Sequence, residues 1–409
     1  MTERIRFTIR QTFLALRSRN FRLFFAGQTI SNTGNWLTNV ALTLLILHLT
    51  HSGLYVGLLA ACQFGPILLL SVWGGAIADR SNKRNLLFLT QGLEMAESIA
   101  LAALAFMGNP PVAVLFAVAT VGGVLLAFDN PLRRSFVTEM VPPEDIPNAV
   151  VLYSTIVNVA RIIGPALAGA LIVWLGYGWC FTVDAISYLA VLACLWMMRP
   201  AELRRQPPRP RVKGEIRAGF RYVLSVPVLW ITFAMLAIIG SLAYNFTVTL
   251  PLFVTKSLHG SAGTFTLIYS VFGFGALVGA LLVANRSLVR TRHVVAGVLA
   301  LGVTMFLLAV SPTIAITLPI AFLLGLTSII YMTSTTSIVQ VEAKPAMHGR
   351  VLALQSVLLV GTTPIGGPLL GWLADAAGGR VPIILGGMAC LAAAAFGYVA
   401  NSRAKQYSS

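Results

Sequence analysis

Gly74-Gly75-Ala76-Ile77-Ala78-Asp79-Arg80-Ser81-Asn82-Lys83-Arg84 is a short turn between two long apolar runs. It opens on small residues, carries one carboxylate and closes on cations. The runs on either side, roughly 54–78 and 85–107, are each long enough for a helix to cross a bilayer, which takes about 20 residues. The turn is therefore read as lying at a membrane surface, and the rest of the chain decides which surface.

The whole chain shares this character. Of its 409 residues 57% are hydrophobic and only 10% are charged, against about 25% charged in an ordinary soluble domain. A soluble core of this size could not hide so much apolar surface, so the lipid bilayer is the expected surrounding. The 36 Gly and 20 Pro fit, since both are commoner in membrane helices than in soluble ones. The net charge of +16 does not point to nucleic acid, because the cations sit in short gaps between apolar runs and form no folded basic surface. Cys62, Cys180, Cys194 and Cys390 lie singly in or beside apolar segments, and the five histidines have no ligand spacing. Neither a metal site nor a disulfide is expected, and no cofactor. Residues 1–22 hold six arginines and no long apolar core, so no cleavable signal is expected there.

Twelve spans are predicted, at roughly 21–49, 54–78, 85–107, 112–132, 147–174, 178–198, 227–254, 263–285, 293–310, 313–338, 350–374 and 381–400. The gaps between them alternate sharply in charge. One set holds all but three of the 29 Lys and Arg, the exceptions being Arg161 inside a span and Lys256 and Arg380 in the opposite set. By the positive-inside rule both termini and the turn at Asp79 are cytoplasmic, which makes this a multi-pass protein of the inner (cytoplasmic) cell membrane.

Residues 199–226 form the one long internal connection. Pro200, Pro207, Pro208 and Pro210 keep its first part extended, and Arg204, Arg205, Arg209, Arg211 and Lys213 make it basic. Ile216, Phe220 and Val223 then recur at helical spacing, which predicts a short helix on the membrane surface. This linker separates a six-helix bundle over 1–198 from a second over 227–409. The two halves share a faint internal repeat. Ser135 to Glu139, a Pro-rich turn and Gly164-Pro165 run in the same order as Ser337 to Glu342, a turn with Pro345 and Gly367-Pro368. Parallel six-helix repeats of this kind are one architecture of secondary transporters.

A charge inside hydrocarbon is costly, so each one needs a reason. Glu94 and Glu97 lie one turn apart in the third span, Arg161 near the middle of the fifth, Asp184 in the sixth and Asp129 at the end of the fourth, beside Arg133 and Arg134. Ser154, Asn158, Arg161 and Pro165 share one helix face, and Gln28, Asn32, Asn35 and Asn39 form a polar stripe along the first span. Two such stripes suit a shared water-accessible substrate cavity, to which Tyr244, Asn245 and Gln355 are added from the second half. They suit hydrogen bonding across helix contacts equally well. Glu94 and Glu97 can be proton carriers or permanent partners of Arg161. Gly164-Pro165 and Gly169 form a kinked, small-residue seam, the expected hinge of the fifth helix.

These features together resemble the major facilitator superfamily. Gly75-Ala-Ile-Ala-Asp79-Arg80 followed by Lys83 and Arg84 is similar to its signature between helices two and three. Gly164-Pro165-Ala-Leu-Ala-Gly169 is similar to its helix-five antiporter motif, with Ala168 where a glycine is usual. Phe21-Arg22 to Gly27-Gln28, Asp129-Asn-Pro131 to Arg134, Pro142-Pro143-Glu144 with Pro147-Asn148, Gly349-Arg350-Val and Gly371-Trp-Leu-Ala-Asp375 resemble the branch of enterobactin exporters and macrolide efflux proteins.

The resemblance implies alternating access, driven by the proton gradient, with a cytoplasmic gate formed by Gly75, Asp79, Arg80, Lys83 and Arg84. Asp79 ends a helix whose dipole disfavours an anion, and its expected partner is Arg133 or Arg134, or the helix start after Gly349. The implied cargo is a small amphipathic molecule, a drug, macrolide or siderophore, exported by a monomer. Import of a metabolite, or movement of a lysolipid, remains the alternative on the same fold. A membrane enzyme or sensor is disfavoured, because no catalytic triad, metal cluster or phosphate-cradling loop occurs in the right context.

Overall fold

The computed structural model describes residues 13–204, 215–283, 291–344 and 347–406. Within these the protein is all-α. The helices of the first half are α1 (Arg19–Thr50), α2 (Gly53–Arg80), α3 (Lys83–Phe106), α4 (Val112–Val137), α5 (Ile146–Leu175) and α6 (Tyr177–Met197). A short helix, α7 (Glu215–Ser225), ends the linker. The second half contains α8 (Pro227–Leu242), α9 (Phe246–Ser257), α10 (Ala262–Val283), α11 (Thr291–Val310), α12 (Ile314–Glu342), α13 (His348–Gly361), α14 (Thr363–Ala377) and α15 (Val381–Gln406).

Eleven stretches among the described residues are both long and apolar enough to cross a membrane. The twelfth is α1, which at 32 residues is ample in length. Its basic start and its stripe of Gln28, Asn32, Asn35 and Asn39 dilute its apolar character. Two of the expected spans are interrupted. Residues 227–257 divide into α8 and α9 around Ala243–Asn245, and 348–377 divide into α13 and α14 at Thr362.

The chain packs as two compact units. The first comprises residues 1–42 and 66–210, the second 43–65 and 211–409. Residues 43–65, which the sequence groups with the first six helices, thus pack in the second unit, and the division inside α2 falls at Gly65-Pro66. In the first unit α3 lies against α6 and α4. A core of Phe21, Phe24, Leu132, Phe136, Tyr153 and Leu195 closes the end from which α1 starts. Phe24 meets the Phe136 ring edge-on at 5.9 Å, a geometry favoured by the aromatic quadrupole.

In the second unit α10 and α12 form a seam of small residues. A methyl built on Gly325 would fall 2.8 Å from the Ala276 nitrogen, and one on Gly279 would fall 2.9 Å from the Leu326 carbonyl oxygen. Lipid offers no hydrophobic drive between helices, so such close backbone approach is what holds them together. Gly325→Ala is therefore expected to destabilise the protein by about 1–3 kcal/mol, the usual range for overpacking. Gly92→Ala, whose methyl would meet nothing within 4 Å, serves as the neutral control. Thermal unfolding in detergent compares the two.

Outside that seam, Val223 of α7 is buried with Leu229, Val339 and Val351, whereas Phe220 and Leu224 are exposed. The linker helix thus has one face in the protein and another turned out.

Candidate functional site

The strongest polar feature of the first unit is a buried network centred on Arg133. Its Nε donates to Asp129, one turn earlier on α4. One terminal nitrogen donates to Gln28 Oε1 on α1 at 3.1 Å, and the other lies 3.7 Å from Glu94 Oε2 on α3. Asp129 also accepts from the Thr90 hydroxyl at 2.8 Å and from Gln91 Nε2 at 3.0 Å. Gln91 is shared with Glu94, to which it donates at 2.9 Å, and Asn32 donates to Gln28 at 3.0 Å. Every one of these residues is buried. The local sequence explains the geometry. Asp129 and Arg133 stand four apart and share a helix face, as do Gln91 and Glu94 three apart. Arg134, the next residue around the helix, is exposed.

This placement departs from the sequence expectation in three ways. Arg133, one of the partners expected for Asp79, is buried and bound by two carboxylates of α3 and α4. Glu94 pairs with Arg133 and not with Arg161. Gln28 and Asn32 are hydrogen-bonded inside the network and do not line open space, whereas Asn35 and Asn39, further along α1, are half-buried.

Above the network lies Asp184 of α6, which sequence reasoning noted only as a buried charge. It accepts from the hydroxyls of Thr38 and Ser98, each at 2.8 Å, and of Ser187 at 3.3 Å. Gly34 makes room for it, since a side chain there would run into the carboxylate and lie 2.6 Å from the Ser187 oxygen. Glu97 is fitted against Gly122 of α4 in the same way. Ser98 follows Glu97 directly on α3, so Asp129, Glu94, Glu97 and Asp184 climb one side of the unit.

Arg161 stands apart from these carboxylates. Its guanidinium lies over the Trp36 ring, 5.1 Å from the centroid. One turn before it, Asn158 donates to the Ser154 carbonyl at 2.9 Å. One turn after it, Gly164 lets α1 approach, with Trp36 Cβ 2.5 Å from where a methyl would sit. Pro165 and Gly169 continue this buried seam.

The turn at residues 79–84 is tied to its own unit. Lys83 bonds Glu139 in a buried ion pair. Arg84 donates to the carbonyls of Leu195 at 2.8 Å and Trp196 at 3.3 Å, capping the C-terminal end of α6, where a cation is favoured. Arg80 is exposed, and the Asp79 side chain lies outside the described residues. The glycine that enables close packing is Gly74, whose methyl would lie 3.0 Å from the Phe128 Cα; around Gly75 there is open space.

In the second unit, Asn245 occupies the break between α8 and α9. Its amide donates to the Gly240 and Ser241 carbonyls at 3.0 and 2.9 Å, replacing helix bonds lost there. The neighbouring Tyr244 ring packs against Phe246, tilted by 59° with centroids 5.2 Å apart. Gln355 is buried and donates to the Thr336 hydroxyl at 2.9 Å. These two amides therefore serve the fold before any cargo.

One cluster was missed by sequence reasoning. Asp375, near the end of α14, accepts from the Gly53 and Leu54 amides at 2.6 and 3.0 Å, from the Ser52 hydroxyl at 2.6 Å and from Lys256 at 2.5 Å. It caps the N-terminus of α2 from another helix, where an anion is favoured. Beneath it, a methyl on Gly57 would fall 2.6 Å from the Pro368 Cα. Arg380 donates to the Ala309 and Ser311 carbonyls at 2.8 and 3.0 Å. Both cations of the sparse set of gaps are thus engaged. That pair of lone charges, Lys256 and Arg380, was the available signal.

Eleven apolar spans among the described residues, with α1 as the twelfth and charges buried within them, fit a transporter of the major facilitator type. The chain belongs to the transmembrane secretion effector family, whose family model matches residues 10–408. Among curated proteins it is 28% identical over 263 residues to the staphyloferrin A transporter of Staphylococcus aureus, covering 64% of this chain and 66% of that one. It is 25% identical to the enterobactin exporter EntS of Citrobacter koseri, with 86% and 85% covered. To the multidrug efflux pump Tap of Mycolicibacterium fortuitum it is 26% identical, with 87% and 89% covered. Among solved structures, a bacterial homologue of the human lysosomal transporter Spinster superposes with TM-score 0.75 at 17% identity, covering 94% of this chain and 96% of that one. A POT peptide transporter with sulfate gives TM-score 0.75 at 14% identity, with 95% of each chain covered. The two structures share the fold.

Proposed function

We propose that this protein is a proton-coupled exporter of small amphipathic molecules, drugs, macrolides or siderophores, working by alternating access as a monomer in the inner membrane. Both termini and the turn at Asp79 face the cytoplasm on this reading. The observation that carries it is the column of four carboxylates, Asp129, Glu94, Glu97 and Asp184, set against one buried arginine, Arg133. Intramembrane carboxylates that outnumber their cations suit proton uptake and release. Asp184, held among the described residues by hydroxyls that donate to it, and Glu97 carry the movable proton. Glu94 and Asp129 hold Arg133. The names of the siderophore and drug exporters among the relatives support the direction of transport.

The test is flux in vesicles of known orientation with an imposed pH gradient. Labelled siderophores, macrolides and lysolipids are offered in turn. The expected result is outward movement that the gradient accelerates. An Asp184→Asn variant is expected to retain binding but to lose at least tenfold of the gradient-driven rate. Movement of a lysolipid alone, or uptake toward the cytoplasm, would replace the export reading with its alternative.

A further inference from the structure

Among the described residues of the first unit, Arg161 lies near the middle of a span and is not used by the carboxylate column. Among the described residues no carboxylate lies within ion-pair distance of it. Its Nε is shut away from solvent with no hydrogen-bond partner. Its two terminal nitrogens make no hydrogen bond to the described residues, and the residue as a whole is half-buried. Asp129, Glu94 and Asp184 bond to other groups, and Glu97 lies against Gly122 of α4.

The Trp36 ring does not solve the problem. It covers one face of the guanidinium, and a cation–π contact leaves all five N–H donors, which point along the edges, unused. Unpaired donors at membrane depth are costly. The helix that carries the ring is closely docked, because Gly164, one turn beyond Arg161 on α5, lets the Trp36 Cβ and the α1 backbone approach. The arrangement is a positioned cation with an aromatic wall on one face and a free edge. Planar oxyanions bind guanidinium through that edge by paired hydrogen bonds.

The geometry points to an anion subsite at Arg161 and Trp36 that selects a cargo carrying a carboxylate or a similar planar oxyanion. This rests on the transport reading for its purpose but is measured by binding alone. Asn158, one turn before Arg161 on α5, and Asn35, the neighbour of Trp36 on α1, are both half-buried neutral polar residues. The anion is a group on a water-soluble organic acid, since a phospholipid phosphate resides at the interface and Arg161 lies midway along a 30-residue helix.

The experiment uses the purified full chain in neutral detergent. Binding is titrated for salicylate against salicylamide, citrate against its trimethyl ester, and short-chain phosphatidylglycerol, to wild type, Arg161→Gln and Arg161→Lys. The expected result is at least about tenfold tighter binding of an acid than of its neutral partner, as for a charge-assisted hydrogen bond. That preference vanishes in Arg161→Gln and survives in part in Arg161→Lys, which keeps the charge and guards against a folding artefact. Equal binding of acid and neutral partner, no binding of either acid, or binding of phosphatidylglycerol alone would each overturn the subsite. Acid binding that depends on Arg161, in a protein that moves no compound across vesicles, would uphold the subsite and defeat the transport reading.

Discussion

Arg133→Leu is expected to be among the most damaging single substitutions in the first unit, lowering stability by about 3–5 kcal/mol. Removing one partner of a buried ion pair leaves the other charged and unpaired, and that loss exceeds the worth of the pair itself. Here two carboxylates are stranded, Asp129 and Glu94, together with the Gln28 oxygen that accepts from the same guanidinium. The measurement is the yield of monodisperse protein and its thermal unfolding in detergent. A triple variant that also carries Asp129→Asn and Glu94→Gln should recover part of the loss, because it removes the stranded charge. If the single and triple variants unfold alike, the network does not hold the unit together.

Asp375→Ala is the second large effect expected, and it is local. The carboxylate caps two backbone amides of α2, takes one hydroxyl and pairs with Lys256, with both charged side chains about a quarter exposed. An N-cap is worth about 0.5–2 kcal/mol, and partial exposure screens the added ion pair. A loss of about 1.4 kcal/mol corresponds to a tenfold shift in a local opening equilibrium. Amide exchange at Gly53 and Leu54 should therefore accelerate about tenfold in Asp375→Ala. Lys256→Ala should do much less, because the backbone bonds remain. Equal acceleration in the two variants would mean that the ion pair, and not the cap, holds this end of α2.

These two sites show what the chain discloses before it folds. The twelve spans were legible because crossing a bilayer demands about 20 apolar residues in a row, and the cations are segregated between them. The pairing of Asp129 with Arg133 was also within reach, since residues four apart on a helix must be neighbours. That same spacing distinguishes Arg133 from Arg134. The link from Arg133 to Gln28 joins residues 105 apart in sequence, and the cap of Asp375 on Ser52 joins residues 323 apart. Helix periodicity says which face a residue occupies but not which helix meets that face. The polar stripe of α1 illustrates the limit. Gln28 and Asn32 share a face with Asn35 and Asn39, yet the first two lie in a buried network and the others are only half-buried. Nothing in their own helix distinguishes them.

The break between α8 and α9 bears on how the chain is made. Ala243, Tyr244 and Asn245 include neither proline nor glycine, and residues 227–257 are apolar enough to enter the bilayer as one segment. In lipid without neighbours, a continuous helix is the form that satisfies every backbone group. An isolated segment has no reason to break its helix bonds before Pro251, whereas in the folded protein Gly366 of α14 closes against Ser241 and Asn245, with a methyl on it falling 2.9 Å from the Asn245 amide nitrogen. The break at residues 243–245 is therefore expected to form on assembly, and a nascent chain halted after α9 is expected to lack it.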